Sequence, residues 1–249
     1  MNQGIVILSR DHLQNGNAAS SLQLFPCAET GKRSCIIVLP GGSYRYLADH
    51  EGTPVAERFA QMGFHSAVCR YRTLPNHYPA PLEDVSAAIE YIRNHAEELN
   101  IKPDKIALLG FSAGGHLAAM ASQLLPISKR PDAVILCYPV LSPEAHIESY
   151  RNLLGTDNEA DCREYQRFSW SKQVDSTTRP AFIWHCEDDE VDVRSAMDYA
   201  KALKTHHIKV ELHVFTAGSH GLGLGRSDSF PEVRVWPELA AAFLHRYGW

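Results

Sequence analysis

The stretch Leu108-Leu109-Gly110-Phe111-Ser112-Ala113-Gly114-Gly115 constrains this chain more than any other. Lys105-Ile106-Ala107-Leu108-Leu109 leads into it as a short apolar run, the pattern of a strand covered on both faces. Beyond it, Leu117, Met120, Ala121 and Leu124 recur at helical spacing. Between the two lies G-x-S-x-G, the nucleophile-elbow pattern. So sharp a turn holds Ser112 in a strained backbone conformation at the carboxyl end of a sheet. A β-carbon at Gly110 or Gly114 would crowd the neighbouring strand or helix. The N–H of Ala113 falls at the start of the helix, where it can meet a developing negative charge.

The rest of the chain supplies a frame for that turn. Residues 4–9 and 21–25 are short apolar segments split by Asn15-Gly16-Asn17, which reads as early strands around a turn. Ser34 to Leu39 is a stronger strand ending in Pro40-Gly41-Gly42-Ser43-Tyr44, where a glycine pair lets backbone N–H groups converge. No Gly-Lys-Ser/Thr follows, so a phosphate loop fits poorly. Thr53-Pro54 reads as an N-cap with proline at the first helical position, Val55, Phe59 and Met62 mark one face, and Gly63 closes the helix. Phe64 to Tyr71 is the next strand. Leu82, Val85, Ile89 and Ile92 give a helix face, and Asp132 to Tyr138 is a further buried strand. This alternation over residues 34–138 predicts a parallel sheet with helices on both faces and right-handed crossovers.

Residues 139–179 break the rhythm with a polar and aromatic segment carrying His146, Tyr150, Tyr165, Phe168 and Trp170, read here as a cap that shapes a pocket. Ala181 to His185 resumes the sheet and runs into Cys186-Glu187-Asp188-Asp189-Glu190-Val191. Ala196, Tyr199, Ala200 and Leu203 mark a helix, Val210 to Phe215 a last strand, and about Pro237 to Tyr247 a last helix. The expected class is α/β: one domain over residues 1–249 with a cap-like insertion at about 139–179.

Composition excludes several alternatives. A net charge of -5 argues against nucleic acid as a partner, and no apolar run is long enough to cross a bilayer. The N-terminus lacks a basic region followed by a full apolar stretch, so a secretory signal is not expected. The six cysteines form no C-x-x-C, and Cys35, Cys69 and Cys137 fall in strands as small apolar side chains. A reducing, cytoplasmic setting is expected. The thirteen histidines show no metal-ligand spacing, so neither a metal nor another cofactor is expected. A homo-oligomer is left open.

A serine hydroxyl needs a base to take its proton, and the base needs a partner to fix its tautomer. The chain offers all three at the carboxyl ends of strands, in the order Ser…Asp…His. Of thirteen histidines, His220 alone lies just past the last strand with glycines at 218 and 221. For the acid, counting back from Val191 through a D-x-x-V turn selects Asp188, whereas counting forward from His185 through an unshortened turn gives Asp189. Asp188 is preferred on this reading. Three other features read as structure first: Arg72 and Asp84 as a pair, His116 as packing, and Gly221 to Gly225 as slack around His220, while Glu51 reads either as a helix-start residue or as a side chain facing the pocket. Tyr44 reads equally as packing or as a pocket wall.

These stretches together resemble the α/β-hydrolase superfamily, in the esterase/lipase branch that includes acetyl-xylan-esterase-like proteins. The resemblance runs over most of the chain. It is carried by P-G-G-S-Y (40–44) with H-E-G (50–52), C-R-Y-R (69–72), P-A-P-L-E-D (79–84), I-A-L-L-G-F-S-A-G-G-H-L-A (106–118), N-L-L-G (152–155), F-I-W-H (182–185) and S-H-G-L-G-L (219–224). The chain departs from the pattern at the oxyanion loop, which lacks a leading histidine and carries Ser43 in place of a third glycine. It departs again at the acidic turn, which is one residue shorter and has Asp192 where proline is usual. The resemblance implies Ser112 as nucleophile, His220 as base and then acid, and Asp188 or Asp189 as its orienting partner. It also implies N–H groups of the Gly41-Gly42-Ser43 loop, chiefly Gly42 or Ser43, and of Ala113 as oxyanion donors. The implied substrate is a small-molecule acyl ester, often an acetyl group on a sugar.

Overall fold

The computed structural model describes residues 4–8, 20–156, 165–225 and 228–249. The Asn15–Asn17 turn, Cys162 and part of the cap lie outside these residues. In chain order the elements are β1 (Ile5–Ile7), β2 (Ser21–Phe25), β3 (Arg33–Leu39), α1 (Thr53–Gln61), β4 (His65–Arg70), α2 (Ala80–Asn94), β5 (Ile101–Phe111), α3 (Ala113–Leu124) and β6 (Ala133–Cys137). They continue with α4 (Ile147–Leu154), β7 (Ala181–Cys186), α5 (Arg194–Thr205), β8 (Val210–Phe215) and α6 (Trp236–Arg246).

The eight strands form one sheet in the order β1-β2-β4-β3-β5-β6-β7-β8. The β1/β2 and β2/β4 pairs are antiparallel, and β4 through β8 run parallel. Strand order reverses between β3 and β5, which are neighbours although β4 lies between them in sequence. In a parallel sheet the crevice beyond the carboxyl ends of such a pair is where ligands gather. Here the loop leaving β3 is Pro40–Tyr44 and the turn leaving β5 carries Ser112.

Successive residues of the central strands feed opposite cores. Ile106 and Leu108 pack with Leu82, Val85 and Ile89 of α2, with Leu117 and Met120 of α3, and with Ala196 and Tyr199 of α5. Ala107, Leu109 and Phe111 pack on the other face with Val55 and Phe59 of α1 and with Trp236 and Phe243 of α6. A strand buried on both faces needs an unbroken apolar run, which Ile106–Leu109 is. Burial pushes the Cys35 thiol up to about 12 and also raises Cys69 and Cys137, as packing thiols require. Arg72 and Asp84 form the buried pair read from sequence, Nε to Oδ2 at 2.9 Å. Among the described residues no helix is long and apolar enough to cross a membrane.

One local expectation is corrected. Thr53 is the first residue of α1 rather than its cap, because Gly52 holds the capping position. Within 139–179, the side chains of Tyr150, Tyr165, Phe168 and Trp170 are all buried and join the core on the α2/α3 side. That is where large apolar rings gain most from leaving water.

Candidate active site

The elbow follows from close approach of backbone. A β-carbon on Gly110 would stand 2.2 Å from the carbonyl oxygen of Gly114, and one on Gly114 would stand 2.1 Å from that of Leu39. Neither position has room for any side chain. Between them Ser112 takes φ 51 and ψ -116, a region costly for a residue with a β-carbon. The conformation is held by Ser112 N–H donating to Cys137 O at 3.0 Å and by Val140 N–H donating to Ser112 O at 3.2 Å. The strands that give Ser112 its place thus also fix its angle.

The Ser112 hydroxyl lies 2.8 Å from Nε2 of His220. Nδ1 of His220 is 2.9 Å from Oδ1 and 3.1 Å from Oδ2 of Asp189. A carboxylate only accepts, so Nδ1 carries the proton and Nε2 is left to accept from the serine. The chain Asp189–His220–Ser112 is therefore continuous across three separate loops of one sheet edge.

Asp189, not Asp188, meets the histidine. β7 extends through Cys186, and the turn after it is closed by Val191 N–H donating to Asp189 Oδ1 at 2.8 Å. The turn thus reads D-x-V, which aims Asp189 inward with its side chain fully buried. Asp188 is exposed and accepts the N–H of Gly218 at 2.7 Å, so it steadies the histidine loop from the other side. Sequence reasoning also passed over His185, which is fully buried with Nδ1 3.8 Å from Asp189 Oδ2. Burial holds its imidazole below the ordinary histidine value. The Asp189 carboxylate opposes that shift.

The β3 loop packs directly on the elbow: a β-carbon at Gly41 would stand 3.0 Å from Cβ of Ser112. Gly42 adopts φ +126 and begins a tight turn in which Arg45 N–H donates to its carbonyl at 2.8 Å. Ser43 and Tyr44 follow at φ 53 and 59, both in the left-handed region. Among the described residues the N–H groups of Gly42, Ser43 and Ala113 have no acceptor. That of Gly41 does: it donates to Oε2 of Glu51 at 2.7 Å, so Gly41 is removed from the expected donors. Tyr44 is corrected as well. Its side chain is buried and its hydroxyl lies 2.6 Å from Nδ1 of His116, so it backs the loop rather than lining a pocket. Burial lowers His116 to about 3, leaving a neutral imidazole behind the loop.

The 139–179 segment touches this loop at its carbonyl side. Asn152 Nδ2 donates to Ser43 O at 2.9 Å, and Arg45 pairs with Glu148. His146 caps α4 by accepting from Ser149 N–H at 3.3 Å. Burial holds the His146 imidazole below its ordinary value, with Glu148 opposing. Among the described residues no cluster of side chains could hold a metal ion. The arrangement can activate a hydroxyl for attack on a carbonyl and offers N–H groups for the charge that follows.

The chain is similar to known proteins over most of its length. The Prolyl oligopeptidase family profile matches residues 77–242, and the BD-FAE profile matches residues 23–129. An acetyl ester-xyloside bifunctional hydrolase from Caldicellulosiruptor lactoaceticus superposes with a TM-score of 0.89 at 33% identity, covering 99% of this chain and 97% of the other. A sugar hydrolase from Lactococcus lactis superposes at 0.84 with 30% identity, covering 99% and 98%. An acetylxylan esterase of Xylanibacter ruminicola is 30% identical over 86% of this chain and 46% of its own length. Endo-1,4-beta-xylanase B of Butyrivibrio fibrisolvens is 38% identical over 80% of this chain and 34% of its own. The chain thus spans between a third and a half of these two curated relatives. With a mostly parallel eight-stranded sheet and these matches, the chain belongs to the α/β-hydrolase superfamily, in its esterase/lipase branch, and the Prolyl oligopeptidase family profile covers most of it.

Proposed function

We propose that this protein is a serine esterase that removes short acyl groups, acetyl above all, from sugars or xylo-oligosaccharides. The observation that carries the proposal is the unbroken hydrogen-bond chain from Asp189 through His220 to the Ser112 hydroxyl. The relatives named for acetyl esters of xylan or xylosides support the substrate class. In this reading Ser112 Oγ attacks the acyl carbon while His220 Nε2 takes its proton. The N–H of Ala113, with that of Gly42 or Ser43, receives the oxyanion, and each such donor is worth roughly 3 kcal/mol in the transition state. His220 then returns the proton to the leaving alcohol. A water molecule, deprotonated by the same imidazole, frees the acid from the acyl-enzyme. The buried packing thiols fit a reducing, cytoplasmic setting.

Turnover of p-nitrophenyl acetate, and acetate release from acetylated xylo-oligosaccharides, tests this directly. Both activities are expected in the wild type and are expected to vanish in Ser112→Ala and His220→Ala. Unchanged turnover in the two variants overturns the mechanism. The Prolyl oligopeptidase match favours a second reading, cleavage of an amide or peptide bond by the same groups. A panel of matched ester and anilide substrates separates the two, because the nucleophile is shared and only the leaving group differs.

A further inference from the structure

Glu51 is a carboxylate with only 2% of its surface exposed, ten residues beyond the loop it touches. A buried charge is costly unless it is paired or richly hydrogen-bonded. Among the described residues the one cationic candidate beside it, His50, has Nε2 3.8 Å away and already donates to Gly221 O at 2.9 Å. Nor does Glu51 serve α1, whose N-terminus has no side-chain cap. Its two oxygens are spent elsewhere. Oε2 accepts the Gly41 N–H at 2.7 Å, and Oε1 accepts the Tyr138 hydroxyl at 2.6 Å. The Tyr138 oxygen in turn accepts the N–H of Gly223 at 2.8 Å. The Tyr138 ring meets the His220 imidazole edge-on, with centroids 4.9 Å apart.

One buried carboxylate therefore ties the loop after β3 to the residue after β6 and to the loop that carries His220. We propose that Glu51 is a positioning residue for the oxyanion loop. By claiming the Gly41 N–H it fixes the plane of that peptide, so the next N–H groups, those of Gly42 and Ser43, are presented as a rigid pair for the acyl oxygen. Through Tyr138 it sets the same loop against the histidine. The role rests on the esterase reading above, but it extends to any reaction in which Ser112 Oγ attacks an acyl carbon or a phosphorus and negative charge builds on the oxygen bound to that centre.

Two variants test it. In Glu51→Gln the amide can keep only one of the two contacts, because Tyr138 already accepts from Gly223 and must donate to what replaces the carboxylate. Tyr138→Phe leaves the Gly41 contact and removes the second. Three readouts are needed: kcat and KM for p-nitrophenyl acetate, the second-order rate of Ser112 labelling by a fluorophosphonate, and the thermal midpoint. Glu51→Gln is expected to lower kcat and the labelling rate together by at least 30-fold with KM within threefold. Tyr138→Phe is expected to lower both by 3- to 10-fold at unchanged KM. Labelling and kcat within twofold of wild type in a folded Glu51→Gln overturn the proposal. If that variant does not fold, the same result in Tyr138→Phe overturns it. A loss confined to KM or to the thermal midpoint in either also overturns it, since that assigns Glu51 to the scaffold alone. Wild-type protein that labels at Ser112 but turns over no ester sinks the esterase reading and leaves the Glu51 comparison intact on labelling rates.

Discussion

The elbow after β5 and the acidic turn after β7 do the same geometric task by different means. Each takes a chain leaving a buried strand and aims one side chain at a shared point. At the elbow, backbone packs on backbone, and the contacts that a β-carbon would make at 2.1 and 2.2 Å leave only glycine possible. At the acidic turn, a side chain closes the turn on itself through the Val191 N–H, and an aspartate at either of two positions is sterically acceptable. Steric exclusion leaves a mark in the sequence; a hydrogen bond between neighbours leaves two readings.

That contrast can be broken at several points. Ser112→Ala should cost about 10⁶-fold in kcat while leaving the thermal midpoint unchanged, measured by ester hydrolysis and calorimetry. Asp189→Asn should cost about 10⁴-fold, close to 5.5 kcal/mol, because the amide stabilises the wrong imidazole tautomer. Comparable activity in Asp189→Asn and Asp188→Asn would erase the distinction between the two carboxylates. Gly114→Ala should remove about 4 kcal/mol or more of stability, or prevent folding, as read by urea denaturation, because Leu39 O cannot retreat without parting β3 from β5. Stability should also fall on the acid side. His116 is held near 3 in the folded chain and would titrate near 6.5 when unfolded, so the unfolded state binds the extra proton as pH drops from 6.5 toward 3. The loss should approach about 1.4 kcal/mol per pH unit from this group, and His116→Phe should flatten the slope of the thermal midpoint against pH. The smallest effect is expected from Asp188→Asn. Asparagine still accepts the Gly218 N–H, so turnover should stay within about threefold.

The parts of the molecule that were legible share a physical cause. The apolar runs of β3, β5, β6 and β7 report strands buried on both faces, and the helix faces of α2 and α5 report a single core side each. Ser112 and His220 stand out because glycines flank them where the chain must turn hard. What stayed hidden depends on contacts between distant segments. Nothing local marks Tyr44 as the partner of His116, 72 residues on, or Glu51 as the partner of Tyr138, 87 residues on. The aromatic content of 139–179 signals burial or a pocket equally well, and only the packing against α3 shows these rings to be buried. H-E-G at 50–52 was the one visible trace of the Glu51 network, and it reads no less as a helix start because α1 follows at once.

The distance between Ser112 and His220 along the chain, 108 residues, has a consequence for how activity arises. A polypeptide emerging from the ribosome presents the elbow serine well before the loop that follows β8, and in the proposed mechanism that later loop supplies the activating imidazole. In that mechanism the hydroxyl is as inert as any other serine until β8 docks on β7. Chemistry is thus withheld until the far edge of the sheet is in place, and no fragment ending before that loop can hydrolyse anything by this route.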